Sequence, residues 1–324
     1  MIRAALADAS DAAGYPQTAG SALLAEAIVD WFGRRRGVEG LAAANTMPTI
    51  GSKEFIAGLA LWLGIGPGDT VVQPRLAYPT YAVGAALAGA HVHSGDDPDL
   101  WPEGTKLVWL NSPGNPDGRV RSVAELRRAV QRARELGAIV VSDECYAELA
   151  WDGAEAVSIL DERVVGEDRH GILAVYSLSK QSNLAGYRAG IVAGCRSLVA
   201  EIVGVRKNLG LILPTPVQAA MIAALGDDEH VRAQREVYRR RRAKLRPAFE
   251  SAGFRVDASE AGLYLWATRG EDAWETVSTM AEAGILVVPG TFYGEESSQH
   301  VRLALTVSDE RVEAALSRLA DFSN

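Results

Sequence analysis

Cysteine is almost absent from this sequence, and the two that occur, Cys145 and Cys195, do not form a C-x-x-C pair. A disulfide framework and a cysteine-ligated zinc site are therefore not expected. No apolar run approaches the roughly 18 residues that a membrane-spanning helix needs. The N-terminus lacks a basic segment followed by an apolar core, so no secretory signal is predicted. We therefore expect a cytoplasmic protein that does not engage membranes.

The sequence has fewer basic than acidic residues. It contains 33 Lys and Arg residues and 41 Asp and Glu residues, which gives a net charge of −8. A surface of that sign repels nucleic acid and anionic membranes. The one strongly basic run, Arg239 to Arg242, lies in a long helical pattern and is interpreted as a solvated helix face. Small molecules are therefore the expected partners.

A long alternation of β-branched runs and amphipathic helices fills the first two thirds of the chain. Strands are predicted at 46–50, 70–74, 106–110, 138–142 and 172–177, and helices near 21–36, 52–63, 79–89 and 122–136. The last helix begins with Ser122 and Glu125, an S-x-x-E capping box. The strand at 138–142 is apolar without alternation, as expected when helices cover both faces of a sheet. This order predicts an α/β fold with a large, doubly wound, mostly parallel sheet.

The last third of the chain has a different pattern of predicted helices and strands. Helices are predicted near 196–209, 215–225, 228–251, 272–283 and 308–321, and short strands near 254–257, 263–267, 285–288 and 301–305. This pattern predicts a smaller α+β C-terminal domain. We place residues 1–226 in the large domain and residues 227–324 in a long connecting helix followed by the small domain.

Polar residues follow the ends of the predicted strands, where ligands bind in open α/β sheets. Ser177-Leu178-Ser179-Lys180 matches the S-x-x-K of serine acyl-enzymes, but the accompanying S-D-N and K-T-G elements are absent. Arg188 lies eight residues beyond Lys180 and can return to the same anion as the two serines. The turn at 51–54 adds backbone N–H groups and a helix dipole that favours an anion. The residues thus indicate a phosphate-type site beside Lys180.

Asp143 closes an apolar strand, so burying its carboxylate is costly unless a cation meets it. A helix N-cap is the ordinary alternative, whereas a protonated pyridine nitrogen would be a stabilising partner. Two other motifs are set aside. The Gly64-to-Gly68 run has Asp69 where a dinucleotide loop needs its third glycine, and no P-loop occurs. His91 and His93 share a strand face without a third metal ligand in view, so no metal is expected.

Together these segments resemble the fold-type I pyridoxal-phosphate enzymes, and among them the class I/II aminotransferases. The resemblance runs from about Tyr15 to the C-terminus and rests on residues 49–54, 78–81, 111–118, 142–146, 177–190 and 301–303. It implies pyridoxal 5'-phosphate as cofactor, held by Lys180 as a Schiff base. Lys180 would also shuttle the substrate's α-proton, and Asp143 would pair with the pyridine nitrogen.

The resemblance implies further roles by position. Asn115 and Tyr146 would bind the phenolate oxygen of the cofactor, and Tyr78 would stack on its ring. The phosphate would be held by Gly51, Ser52, Lys53, Ser177, Ser179 and Arg188. Arg302, with Asn115, would bind the substrate carboxylate. Tyr15 is similar to a tyrosine that reaches the phosphate of a neighbouring subunit, which implies a homodimer with shared active sites.

Residues 111–116, 179–188 and 261–266 are similar in particular to the N-succinyl-L,L-diaminopimelate aminotransferases of lysine biosynthesis. The leading hypothesis is therefore amino transfer between that diamine and 2-oxoglutarate, with glutamate as the other amino acid. The diamine's distal carboxylates would need further cations, for which Arg75, Arg206 and Lys207 are candidates. An aspartate or aromatic aminotransferase, a C–S β-lyase, and an inactive cofactor-binding dimer are the alternatives.

The sequence departs from the family at its start. Relatives begin several tens of residues earlier, with an arm that contributes to the substrate pocket, whereas Met1 directly precedes the helix before Tyr15. We expect either that the start is misassigned or that the arm is missing. Either case affects the substrate pocket and leaves the cofactor site intact.

Overall fold

Two separate β-sheets organise the chain in a computed structural model, which describes residues 1–321. The strands of the larger sheet are β1 (Thr46–Ile50), β2 (Thr70–Gln73), β3 (His91–Ser94), β4 (Thr105–Asn111), β5 (Ile139–Asp143), β6 (Ile172–Ser177) and β7 (Ala189–Gly194). Their order is β1-β7-β6-β5-β4-β2-β3, and only β7 runs antiparallel to its neighbours. The predicted α/β fold with a mostly parallel sheet is confirmed.

Helices cover this sheet and extend beyond it. They are α1 (Ile2–Asp8), α2 (Ala22–Arg36), α3 (Gly51–Trp62), α4 (Thr80–Ala88), α5 (Val123–Leu136), α6 (Glu162–Val165), α7 (Leu178–Gln181), α8 (Arg196–Asn208), α9 (Thr215–Leu225), α10 (Glu229–Ser251), α11 (Ala273–Glu282) and α12 (Asp309–Asp321). Helix α5 has the predicted capping box, in which Ser122 N donates to Glu125 Oε2 at 2.8 Å and Glu125 N donates to Ser122 Oγ at 3.3 Å. No helix within residues 1–321 is long and apolar enough to cross a membrane.

Both faces of the large sheet are buried, as the apolar sequence of β5 predicts. Val140 belongs to the hydrophobic cluster that includes Trp31 of α2 on one face, and Val141 belongs to the cluster that includes Phe55 of α3 on the other. Both valines are fully buried. Consecutive side chains of a strand point to opposite faces of the sheet. A strand with helices on both faces therefore has apolar side chains pointing in both directions.

The second sheet has four antiparallel strands in the order β10-β11-β9-β8, with β8 (Arg255–Asp257), β9 (Tyr264–Thr268), β10 (Val288–Pro289) and β11 (His300–Ala304). The prediction of a strand at 285–288 is wrong in its position. Ile285 and Val287 are buried and Leu286 is exposed, but only residues 288–289 pair with β11. Alternating burial therefore extends beyond the paired backbone. The domain boundary after residue 226 falls between α9 and α10 and stays a prediction.

Candidate active site

A cavity of about 400 Å³ lies at the carboxyl ends of the large sheet's strands, facing the second sheet. All predicted site residues except Gly51 and Tyr15 line it: Ser52, Lys53, Tyr78, Asn115, Asp143, Tyr146, Ser177, Ser179, Lys180, Arg188 and Arg302. The remaining lining residues are Pro79, Asn111, Cys145, Ala185, Tyr264, Phe292 and Tyr293. The structure thus brings together side chains that are as much as 250 positions apart in the sequence (Ser52 and Arg302, 302 − 52).

Strand direction explains why these residues meet. The six parallel strands end at one edge of the sheet, so the residues after β1, β4, β5 and β6 share that edge. Strand β7 runs the opposite way and therefore begins there, directly after Arg188. This strand was not predicted from its sequence, because Gly190 and Gly194 depress strand propensity.

One end of the cavity has the donors for an anion. Helix α3 begins at Gly51, so its first backbone N–H groups are free to face the cavity. Arg188 reaches the same turn, and a Cβ atom on Gly51 would lie only 2.3 Å from Arg188 Nη2. Ser177 Oγ accepts from the backbone N of Ser179 at 3.2 Å and lies 2.9 Å from Ser179 Oγ. Gly51 therefore lies outside the cavity lining yet makes the approach of Arg188 possible.

Gly190 allows strand β7 to approach the turn at residues 51–54 equally closely. The Gly190→Ala substitution should therefore weaken anion binding. A Cβ atom there would lie 2.3 Å from Thr49 Oγ1 and 2.9 Å from Ser52 N. Such overpacking costs about 1–3 kcal/mol and displaces the Ser52 amide. We expect the dissociation constant of pyridoxal phosphate, measured by fluorescence titration, to rise about tenfold or more. Gly186→Ala is the matched control, because nothing lies within 4 Å of that position. Equal affinity of the two variants would contradict the close-approach argument.

Asp143 also lines the cavity and is only 6% exposed. Its Oδ2 accepts from Tyr81 OH at 3.0 Å, and its Oδ1 accepts from Cys145 N at 3.2 Å. Burial raises the pKa of Asp143, while these hydrogen bonds and the charge of Lys180 act in the other direction. A second cation facing the carboxylate would therefore stabilise its ionised form. Asp143 is not a helix N-cap, because the next helical turn is the short 3₁₀ turn Ala147–Leu149 and its N-cap is Tyr146.

Tyr81 was not predicted as a site residue. It stacks on Trp109 with ring centroids 5.1 Å apart and meets Tyr78 edge to face at 5.8 Å. The signal was present in the motif at 78–81, because residues three apart near a helix start lie on one side of it. Tyr81 thus connects the predicted stacking ring of Tyr78 to the carboxylate of Asp143.

Asn111 and Asn115 form the loop after β4. Asn111 Nδ2 donates to the carbonyl oxygens of Pro113 at 3.0 Å and Asp143 at 2.9 Å. Asn111 Oδ1 accepts from Asn115 N at 2.8 Å, so this side chain holds the loop in place. Asn115 Oδ1 in turn accepts from Arg302 Nη1 at 2.9 Å. The large sheet and β11 therefore meet through Asn115 and Arg302.

Arg302 is surrounded by aromatic rings that were not predicted. Its guanidinium carbon lies 3.8 Å from the ring centre of Tyr264 and 5.1 Å from that of Tyr293. Its Nε is buried without a hydrogen-bond partner within residues 1–321. A buried guanidinium N–H without an acceptor is costly, so this position favours a carboxylate ligand. Tyr264 belongs to the segment at 261–266, which was noted only for its subgroup resemblance.

Tyr146 and Lys180 lie near each other in the cavity lining. Lys180 Nζ lies 6.0 Å from the ring centre of Tyr146, whose hydroxyl is 3.0 Å from that of Tyr264. Burial, followed by the neighbouring Tyr264, raises the pKa of Tyr146 well above its usual range. Burial also raises the pKa of Tyr293 to about 12. The phenol of Tyr146 beside Lys180 is therefore neutral and can donate a hydrogen bond.

Three candidate cations for distal substrate groups do not line the cavity. Arg206 is fully buried and pairs with Glu54 at 2.6 Å, so its prediction as a substrate contact is wrong. Arg75 pairs with Glu296 and lies in a neighbouring cleft with Asp96 and Arg121. Lys207 is exposed at the end of α8. Tyr15 is 99% exposed and also lies outside the cavity of its own chain.

The arrangement fits pyridoxal phosphate in chemistry and in size. Arg188, the serines and the α3 N-terminus suit a phosphate, while the buried Asp143 suits a protonated pyridine nitrogen. Glycines at 51 and 190 leave room that a Cβ would fill. Lys180 lines the same cavity, where its amine can meet the aldehyde of the cofactor.

Comparison with known proteins agrees with this assignment. The family described as aminotransferase class I and II matches residues 1–319. A 4-dedimethylamino-4-oxo-anhydrotetracycline transaminase, OxyQ of Streptomyces rimosus, is 55% identical over 98% of this chain and 89% of its own. The probable aminotransferase Rv1178 of Mycobacterium tuberculosis is 56% identical over 98% of this chain and 76% of its own. An LL-diaminopimelate aminotransferase of Dehalococcoides mccartyi is 34% identical over 96% of this chain and 83% of its own.

Solved structures share the fold. A Thermus thermophilus aspartate aminotransferase mutant superimposes with a TM-score of 0.87 at 28% identity, over 99% of this chain and 87% of the other. The cavity chemistry, the matched family and the shared fold agree. The chain therefore belongs to the class I and II aminotransferases, enzymes that use pyridoxal phosphate to move an amino group between an amino acid and a 2-oxo acid.

Proposed function

We propose that this aminotransferase exchanges the amino group of N-succinyl-L,L-diaminopimelate with 2-oxoglutarate, in lysine and diaminopimelate biosynthesis. The observation that carries the proposal is a pair of cations, Arg302 and Lys53, that line the cavity. Arg302 presents a buried Nε that has no hydrogen-bond partner among residues 1–321, and the ammonium of the exposed Lys53 lies 5.8 Å from the ring centre of Tyr78. A substrate with carboxylates at both ends of a long chain matches two separated cations.

Each cavity residue has a proposed task in the transfer. Pyridoxal phosphate, when bound, supplies the electron sink that makes the substrate's α-proton removable. Lys180 moves that proton, and Asp143 keeps the pyridine nitrogen protonated. Asn115 and Tyr146 donate hydrogen bonds to the ring oxygen. Arg302 holds the substrate's α-carboxylate with its planar guanidinium, while Tyr264 supports the flat face of that group.

Tyr15 is proposed to act in a second copy of the chain. It is fully exposed, and its phenol is free to donate to an anion on another subunit. The homodimer that this requires would be detected by sedimentation. If Tyr15→Phe leaves the affinity of the dimer for pyridoxal phosphate unchanged, this role is wrong.

Lys53→Met should discriminate between substrates. The variant keeps the backbone N–H at the phosphate turn and most of the side-chain volume, but it removes the ammonium. We expect KM for the succinylated diamine to rise about 10- to 100-fold, since a hydrogen bond to a charged group contributes about 1.5–3 kcal/mol. The half-reaction with glutamate should change far less, because its second carboxylate lies closer to the reacting carbon.

Lys207→Met is the matched control, since that lysine is exposed outside the cavity. Steady-state kinetics with a panel of amino donors tests the whole proposal. A wild-type preference for aspartate, an aromatic or a branched amino acid over the succinylated diamine would overturn it.

A second candidate substrate is a bulky aromatic ketone, favoured by the cavity mouth. Phe292 lines the cavity yet is 54% exposed, and it meets the 52% exposed Trp274 edge to face at 5.9 Å. Exposed paired rings suit a flat hydrophobic ligand. The tetracycline-type ketone named for the Streptomyces rimosus relative is the compound to test, with glutamate as donor. A higher kcat/KM for this ketone than for the succinylated 2-oxo acid would make it the better assignment.

A further inference from the structure

The segment between Lys180 and Arg188 has little structure of its own. Helix α7 has only four residues, too few to be stable by itself. Asn183 and Arg188 both adopt left-handed backbone conformations, with φ of 55° and 57°, which residues with a Cβ adopt at a cost. Contacts from outside the segment must therefore hold it in shape.

One face of helix α10 supplies those contacts. His230 Nε2 lies 2.8 Å from Ser182 Oγ, and Asn183 Nδ2 donates to Gln234 Oε1 at 2.8 Å. Tyr238 OH donates to Asn183 Oδ1 at 2.9 Å. The three helix residues are spaced by four positions, so they form one stripe on the helix. We call these contacts, with that of Asp227 to His230, the α10 clasp.

The hydrogen bonds continue on both sides of Ser182. Asp227 Oδ2 lies 3.0 Å from His230 Nδ1, and a carboxylate can only accept, so this ring nitrogen carries a proton. Ser182 Oγ also accepts from Gln181 Nε2 at 3.2 Å, and Gln181 Oε1 accepts from Tyr176 OH at 2.6 Å. The clasp is thus continuous from α10 into strand β6.

The order Asp227, His230, Ser182 is that of a hydrolase triad. Ser182 is only 8% exposed, however, and its oxygen is already bound from two sides. A nucleophile needs an accessible lone pair, so the geometry favours a holding role over catalysis. Helix α10 is suited to that role, because Arg242 Nη2 also donates to Ser259 O at 2.9 Å and Arg241 Nε donates to Asp309 Oδ1 at 2.6 Å.

We propose that the α10 clasp is a positioning device for the cofactor site: it sets the backbone of residues 181–188 so that Lys180 and Arg188 face one cavity. This inference rests on the proposed cofactor roles of those two residues. The proposal also explains why helix α10 is hydrogen-bonded to residues 181–188, the lysine segment. This helix leads into the second sheet, and that sheet carries Arg302. Helix α10 thereby fixes the position of the lysine segment relative to the second sheet.

The test uses the full-length holoenzyme and three clasp variants, Ser182→Ala, His230→Phe and Tyr238→Phe. Hydrogen–deuterium exchange of the peptide at 181–188 and the rate of pyridoxal phosphate release are measured for each. We expect both rates to rise about tenfold in every variant, which is the effect of losing about one net hydrogen bond. Glu236→Gln is the control, because Glu236 lies on the solvent face of α10 and pairs with Arg239. It should leave both rates unchanged.

The Ser182→Ala/His230→Phe double variant should release the cofactor more slowly than the product of the two single effects predicts, since both changes break one contact. Unchanged local exchange, or exchange raised equally throughout the chain, would overturn the clasp. Faster local exchange with unaltered cofactor release would overturn its link to the cofactor site. Borohydride labelling of the same samples tests Lys180 separately, since a label on another lysine refutes the proposed cofactor role without altering the exchange result.

Discussion

Lys180→Ala should abolish transamination while leaving the fold intact. Lys180 is the third residue after strand β6 and lines the cavity, with its Nζ 6.0 Å from the ring centre of Tyr146. In the proposed mechanism, the variant loses both the amine that bonds the cofactor aldehyde and the base that moves the α-proton. Loss of a positioned acid–base group alone costs about 10²- to 10⁴-fold. We therefore expect the half-reaction rate to fall by at least about four powers of ten. The rate is measured from the absorbance change of the cofactor.

Borohydride reduction and peptide mapping of the wild-type protein provide the independent measurement. Pyridoxal phosphate should be fixed covalently to Lys180, and the visible absorbance should be lost. Lys207→Ala, at an exposed position outside the cavity, should retain normal rates. A label on any other lysine, or a protein that does not bind the cofactor, would refute the assignment of Lys180.

Asp143→Asn should have the second-largest effect, slowing the half-reaction by about three powers of ten. The side chain of Asp143 is almost completely buried, and its neighbours Tyr81 and Cys145 contribute neutral hydrogen-bond donors. Asparagine has nearly the same shape but no charge, so a pyridine nitrogen facing it loses the anion that keeps it protonated. Removing an opposite charge lowers the pKa of its partner by as much as about three units, which lowers the protonated fraction by as much as about a thousandfold.

Tyr81→Phe provides a graded comparison for this prediction. It keeps the ring that stacks on Trp109 and removes only the hydroxyl that donates to Asp143. The rate should fall about tenfold, since one net hydrogen bond to the carboxylate is lost. Both variants should still bind pyridoxal phosphate. Near wild-type half-reaction rates in Asp143→Asn would show that the carboxylate does not control the pyridine nitrogen.

Features encoded by neighbouring residues were predictable from the sequence. The capping box at Ser122 and Glu125, the doubly covered strand β5 and the polar residues at the strand ends all appear as expected. Each depends on residues within a few positions of one another, through local hydrogen bonds or the alternation of side chains along a strand. The convergence of Ser52, Asp143 and Lys180 followed from strand direction alone.

The substrate end of the cavity was decided by tertiary structure. Tyr264 lies beside Arg302 because β9 pairs with β11, where Arg302 is opposite Trp266, two residues from Tyr264. Arg302 meets Asn115 because the second sheet packs against the loop after β4. Arg206 has the sequence context of an exposed cation, yet Glu54, more than 150 residues away, holds it in the interior. The antiparallel β7 forms from a glycine-containing segment because β1 and β6 bind it from both sides. Local sequence determines backbone shape and side-chain chemistry, whereas contacts between distant segments depend on how whole elements pack, and no short motif encodes that packing.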